Sequence, residues 1–238
     1  MFSDKKDIIK EMFEVGAHFG FSKTRRHPST TSYILGRKDG VEIFDLKRVE
    51  EKLNEAKEFV SKIASEGKQI LFVGGKKESQ EIIKLGAQQI EMPYVAGRFI
   101  GGTITNFDEI RKRVNRLSDL NSQKDKGELG KYTKKERLLM DREAIKLDNI
   151  FGGIMNMNKK PAALFIIDAD KESIARDEAI KSKIPVISLC SSDCNFTKID
   201  FPIPGNDSST RSITFFVNQI IEAYKEGVKN KNNKSDKK

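Results

Sequence analysis

The residues able to do chemistry form a few groups along the chain. Gly74-Gly75-Lys76-Lys77-Glu78-Ser79 follows an apolar run and precedes a helical pattern, a context in which backbone amides can cradle phosphate. It lacks the GxxxxGK[ST] spacing of a phosphate loop, and no GxGxxG follows any strand pattern. Gly101-Gly102-Thr103 opens another helical pattern. It reads either as an anion site at a helix N-terminus, an RNA phosphate included, or as a tight turn capped by Thr103. His18 and His27 are the only histidines, and neither has a Ser or Cys in a nucleophile elbow, so a catalytic triad is excluded. Cys190 and Cys194 form one CxxxC with no second pair, which suits small buried thiols better than zinc. Asp193, Asp200 and Asp207 gather where strand ends belong, and His18 can approach them. A structural cation held by His18, Asp193 and Asp207 is one reading; caps and turns are the other. Asp168 and Asp170, at a further strand end, can orient loops without chemistry. No other cofactor is implied.

The cations are more informative. The formal net charge is +9, unevenly spread. Between Gly16 and Lys38 there is no acid, and Lys23, Arg25, Arg26, Arg37 and Lys38 give +5. From Arg111 to Arg137 ten bases face four acids; Arg111, Lys112, Arg113, Arg116, Lys131, Lys134 and Lys135 are among them. The tail from Lys225 adds +4, whereas Ala163 to Ala223 carries −3. Basic surfaces on a near-neutral body fit a polyanion touched at several places, and the planar fork of arginine suits phosphate. A solvated lysine-rich surface explains any one cluster, but less well the acid-free stretch with paired Arg25 and Arg26.

The chain has 238 residues, 37% hydrophobic and 33% charged, with a mean hydropathy of −0.54. That is room for one generous domain, or a domain with an insertion. No run of about 18 apolar residues exists, which argues against a membrane span, and two cysteines cannot staple a fold. The N-terminus lacks a signal-peptide core, so a cytoplasmic location is expected.

The elements that must position these residues follow from periodicity. A first helix is expected over Asp4 to Val15, capped by Ser3 or Asp4, then a loop over 16–32. Tyr33-Ile34-Leu35 and Val41-Glu42-Ile43-Phe44 flank an Asp-Gly hairpin turn. Helices are expected over Leu46 to Ser65, Glu78 to Gln88, Ser173 to Lys181 and Ser208 to Lys225. Gln69 to Val73, Ala163 to Asp168 and Pro185 to Leu189 are continuous apolar runs, as in strands covered on both faces, and Tyr94-Val95 is a short strand. Alternating strands and helices predict a mostly parallel α/β sheet, assigned to 1–103 and 151–226. Ile104, Phe107, Ile110, Val114, Leu117 and Leu120 break that rhythm. The 104–150 segment is therefore read as an inserted antiparallel helical hairpin, a short coiled coil with a basic tip. Residues 227–238 are low in complexity and expected to be disordered.

Several stretches together resemble one family. Val15-Gly16-Ala17-His18-Phe19-Gly20, Thr24-Arg25-Arg26, Tyr33 to Arg37, Ile70 to Gly74, Gly101-Gly102-Thr103-Ile104-Thr105-Asn106-Phe107 and Ile203-Pro204-Gly205-Asn206-Asp207 are similar, in order and spacing, to the bacterial small-subunit ribosomal protein S2 family over about residues 7 to 226. The chain departs from the family pattern at Phe21, His27, Phe99 and Ala169, and in the Cys-Ser-Ser-Asp-Cys loop. The resemblance implies a flavodoxin-like sheet with a protruding hairpin and no catalysis. It implies a place between head and body of the small subunit, near the messenger RNA exit. The large protein that recruits messenger RNA would be one of its protein neighbours.

The expected activity is thus electrostatic. Lys23, Arg25, Arg26, Arg37 and Lys38, with Arg98 nearby, form one rRNA-facing edge, and Arg111, Lys112, Arg113, Arg116 and the hairpin tip form another. Phe19, Phe21 and Phe99 either stack on bases or pack in the core. Two other classes stay open at this level: a nucleotide- or phosphosugar-using enzyme on the same fold, and a protein-docking adaptor.

Overall fold

A computed structural model describes residues 8 to 235; the expected caps Ser3 and Asp4 lie outside them. Helix α1 spans Ile8–Glu14 and buries Met12. Strands β1 (Phe19–Ser22), β2 (Ile34–Lys38) and β3 (Val41–Phe44) make an antiparallel sheet in the order β1-β3-β2. The expected loop over 16–32 is β1 followed by two 3-10 turns, Lys23–Arg25 and Pro28–Tyr33. Elements this short carry no apolar period for a sequence reading to detect.

Helix α2 (Leu46–Ser65) begins at Asp45, whose carboxylate accepts from the Lys47 amide at 3.1 Å. Next come β4 (Ile70–Gly74), α3 (Lys77–Gln88) and β5 (Tyr94–Ala96). The hairpin follows as α4 (Phe107–Asp125) and α5 (Lys134–Phe151). The chain then returns through β6 (Ala163–Ile167), α6 (Ser173–Lys181), β7 (Val186–Cys190), β8 (Phe201–Pro204) and α7 (Thr210–Ser235). Strands β4 to β8 form a parallel sheet in the order β5-β4-β6-β7-β8. Counted among themselves this is 2-1-3-4-5, the flavodoxin-like order. Strand β8 is not anticipated from sequence, because Pro202 and Pro204 argue against a strand. As an edge strand paired with β7 alone, it tolerates them.

Both faces of this sheet are covered, which is why its central strands are continuously apolar. Phe72, Phe165, Ile187 and Leu189 pack toward α2 and α7, while Leu71, Val73, Leu164 and Ile166 pack toward α6 and the base of α4. The hairpin leans on the second face. Helix α4 buries Ile110, Val114, Leu117 and Leu120, whereas Phe151 is the buried residue of α5. The helix starts at Phe107, not Ile104, because Gly101 to Asn106 form turns. Gly127 reverses the chain at φ 69°, and Thr133 and Glu136 close a capping box on α5.

The expected disorder from residue 227 onward is corrected as far as Ser235, where α7 ends. Gly227 looks like a helix stop in sequence, but it is a close approach. A side chain there would strike the Ser61 carbonyl and the Ala64 methyl of α2. Gly227→Ala should therefore destabilise the fold by about 1–3 kcal/mol through overpacking, despite the better helix propensity of alanine. Urea unfolding tests this, and a gain in stability would refute the close packing of α2 on α7.

Candidate nucleic-acid interface

In an open parallel sheet, ligands bind beyond the carboxyl ends of the strands, where the strand order reverses. Here that place lies between β4 and β6, and the chain itself fills it. Lys76, just past β4, sets Nζ 2.7 Å from Asp168 Oδ2, just past β6, and 2.9 Å from Asp207 Oδ2, beyond β8. Lys76 and Asp207 are buried. Asp168 adopts the left-handed conformation at φ 64° and also accepts from the Lys171 amide at 3.1 Å. Burial pulls the Lys76 pKa down, but Asp207 and Asp168 together outweigh it and raise it. Burial pushes the Asp207 carboxyl up to about 6, against the pull of Lys76. Asp193, half-buried beside them, is raised by burial and then by the charge of Asp168.

The two glycine-rich turns are filled in the same manner. The Glu172 carboxylate, raised by burial and then by Asp168, accepts from the Gly75 amide. Glu178 of α6 accepts from the amides of Gly102, Ile104 at 2.9 Å and Thr105 at 3.2 Å. The anion anticipated at Gly101-Gly102-Thr103 is thus an internal carboxylate from 73 to 76 residues away. No linear signal links these positions.

The cation reading is corrected too. Among the described residues, no group of three or more His, Cys, Asp or Glu is arranged to hold a metal. The Lys76 ammonium stands where the sequence suggests an ion. The His18 ring packs between Phe13, at 4.6 Å, and Phe19, at 4.1 Å, and burial followed by the charge of Lys38 lowers its pKa. His18, Asp193 and Asp207 therefore do not form a metal site. Cys190 and Cys194 are buried free thiols, and the Cys190 sulfur lies 3.2 Å from the Ser188 hydroxyl.

The exposed cations lie outside this closed crevice. The segment after β1 is fastened to the end of β7 through Ser192. Its Oγ accepts the Phe21 amide at 2.9 Å, and its carbonyl accepts the His27 amide at 2.9 Å and the Thr30 hydroxyl at 3.0 Å. On this mount Lys23, Arg25, Arg37 and Lys38 are exposed, as is Arg98 past β5. The Arg25 guanidinium lies 5.0 Å over the half-buried Phe21 ring. Arg26 differs from its neighbours, for it donates at 3.0 Å to Glu42, a fully buried carboxylate across the hairpin. Phe99 is core, and Phe19 is 43% exposed.

On the hairpin, Arg113, Lys131, Lys134 and Lys135 are exposed. Lys112 pairs with Glu109 at 2.6 Å, and Arg116 pairs across the helices with Glu143 at 3.0 Å. Arg111 turns inward, donating to the carbonyls of Met155 and Met157 at 2.9 and 3.2 Å and to Asn158 Oδ1 at 2.7 Å. Clustering in sequence therefore overstates the outward charge, because partners 16 to 47 residues distant engage several of these cations.

Residues 12–227 match the family model described as Ribosomal protein S2. A protein named small ribosomal subunit protein uS2 from Roseiflexus is 41% identical over 92% of this chain and 84% of its own length. One of the same name from Bdellovibrio bacteriovorus is 38% identical over 93% of this chain and 71% of its own length. A third, from Acidothermus cellulolyticus, is 40% identical over 92% and 80%. The chain belongs to the ribosomal protein S2 family. It is a structural constituent of the ribosome and not an enzyme, and it resides with the ribosome in the cytoplasm. For a member of the S2 family, the filled crevice acts as a brace between strand ends.

Two outcomes follow for that brace. Lys76→Ala leaves buried carboxylates without their counter-ion and should cost about 3–5 kcal/mol in urea unfolding. The Asp207 carboxyl, raised above its unfolded value of about 3.9, binds a proton more tightly in the folded state. It therefore favours folding as pH falls from 6 toward 4, and this contribution fades as pH rises through the same window. Asp207→Asn should remove that component from the pH dependence of stability; an unchanged profile would refute the assignment.

Proposed function

We propose that the chain binds small-subunit rRNA through the exposed bases around β2 and the 3-10 turns, and joins head to body near the messenger RNA exit. The observation that carries this reading is the contrast between the two kinds of charge. Lys76, in the crevice between the strand ends, is neutralised internally, while Lys23, Arg25, Arg37, Lys38 and Arg98 face solvent on a rigid mount. Exposed cations replace condensed counterions on a phosphate backbone, and folded RNA is recognised largely by shape and backbone. At the hairpin, Arg113, Lys131, Lys134 and Lys135 form the second rRNA-facing surface. Lys112 and Arg116 are paired at the surface with Glu109 and Glu143, and Arg111 and Arg26 support the surface from beneath. Leu138, Leu139 and Ile145, exposed on α5, suit protein neighbours, of which the large messenger-recruiting protein is one. Messenger RNA then passes nearby. Among the described residues no helix is long and apolar enough to cross a membrane.

Replacing Arg25, Arg37 and Lys38 together by alanine should weaken binding to small subunits on the order of tenfold at low salt. Gradient sedimentation should show lower occupancy while the thermal midpoint stays unchanged. Full occupancy of the triple variant would contradict this edge.

A further inference from the structure

The edge just described lies at the carboxyl ends of the parallel strands. The opposite edge holds a basic concavity that no expectation drawn from sequence includes. A groove of about 800 Å³ opens there, among the turns that lead into β4, β6 and β7. Lys68, Lys159, Lys160 and Lys183 line it with Asn156 and Asn158, and no acid does. Lys68 is paired with Glu66 at 2.6 Å. Lys159, Lys160 and Lys183 are exposed and carry no ion pair among the described residues. The Lys231 ammonium, near the end of α7, lies against Gly67 at the rim.

The walls are fixed in advance. The three hydrogen bonds from Arg111 to Met155, Met157 and Asn158 tie the segment before Lys159 to α4. Gln69 donates to the Asn156 carbonyl at 3.4 Å, and its own carbonyl accepts the Ala162 amide at 2.8 Å. The two residues that present positive charge, Lys159 and Lys160, thus sit between anchored ends. Lys183 closes α6 in the left-handed conformation at φ 55°, a position where glycine is ordinary.

We propose that this groove receives the phosphate backbone of a further RNA segment, so that RNA lies at both ends of the parallel strands. This rests on the rRNA-binding reading above and extends it to a separate surface. Strands of five residues span about 17 Å, so the two basic edges address different phosphates. The chemistry favours a polynucleotide over a protein. Lysines ring an open hollow whose lining also includes Pro161, Ala162 and Ile184; Asn156 and Asn158 supply hydrogen bonds for phosphate oxygens and sugar hydroxyls. The aromatic anchor that a protein interface centres on is absent from the lining.

The test refills small subunits lacking this chain with the wild type, with Lys159→Ala/Lys160→Ala/Lys183→Ala, or with the matching triple arginine variant. Under ultraviolet light, wild-type peptides spanning 156–162 should crosslink to rRNA nucleotides. The alanine variant should bind on the order of tenfold more weakly at low salt, and the arginine variant should restore binding. Equal binding by the alanine variant overturns the inference. So do amine-directed crosslinks from Lys159 and Lys160 that lead only to acidic protein segments. Failure of the wild-type chain itself to bind overturns the rRNA-binding reading first, and this inference with it.

Discussion

A buried ammonium must keep its carboxylates, because breaking such a pair strands a charge in a poorly polarisable interior. Lys76 bridges Asp168 and Asp207, and so ties together the segments leaving β4, β6 and β8. Glu172 and Glu178 do the corresponding work for backbone amides, each filling a turn that in other α/β proteins is free to hold a ligand's anion. The outcome is a sheet whose usual binding crevice is closed by its own side chains. A fold of this order hosts many activities, and this arrangement turns it into a rigid mount.

Rigidity matters because the working surface is spread over distant parts of the chain. Ser192, past β7, holds the segment carrying Lys23 and Arg25. Arg26 pins the β2–β3 hairpin through Glu42, and Arg111 joins the hairpin helices to the segment before β6. Each of these cations supports neighbours that face outward. Shape is thereby fixed before RNA arrives, and less ordering entropy is lost on binding.

The fold was largely legible because its signals are local. Continuous apolar runs at β4, β6 and β7 mark doubly covered strands, and the three-and-four spacing from Ile110 to Leu120 marks α4. What escaped detection is non-local or composed of exceptions. Strand β8 carries two prolines, β1 is four residues long, and Gly227 serves packing where sequence suggests termination. The site divides in the same way. The segregation of positive charge can be seen by counting, but which cations stay outward cannot. Glu42, Glu143 and Asn158 decide that for Arg26, Arg116 and Arg111, and each lies a turn of fold away. The Lys76 cluster had one faint trace in sequence: a lysine after one strand and aspartates after two others.

The account stands on exposed cations meeting phosphate, and the ion count of binding measures that contact directly. Association of the whole wild-type chain with small subunits stripped of it should be followed as salt is raised from about 50 to 200 mM. With five outward bases on the carboxyl edge alone, log K should fall linearly with log salt, at a slope of about −3 or steeper. A slope near zero would mean that binding releases few ions, and would contradict the account.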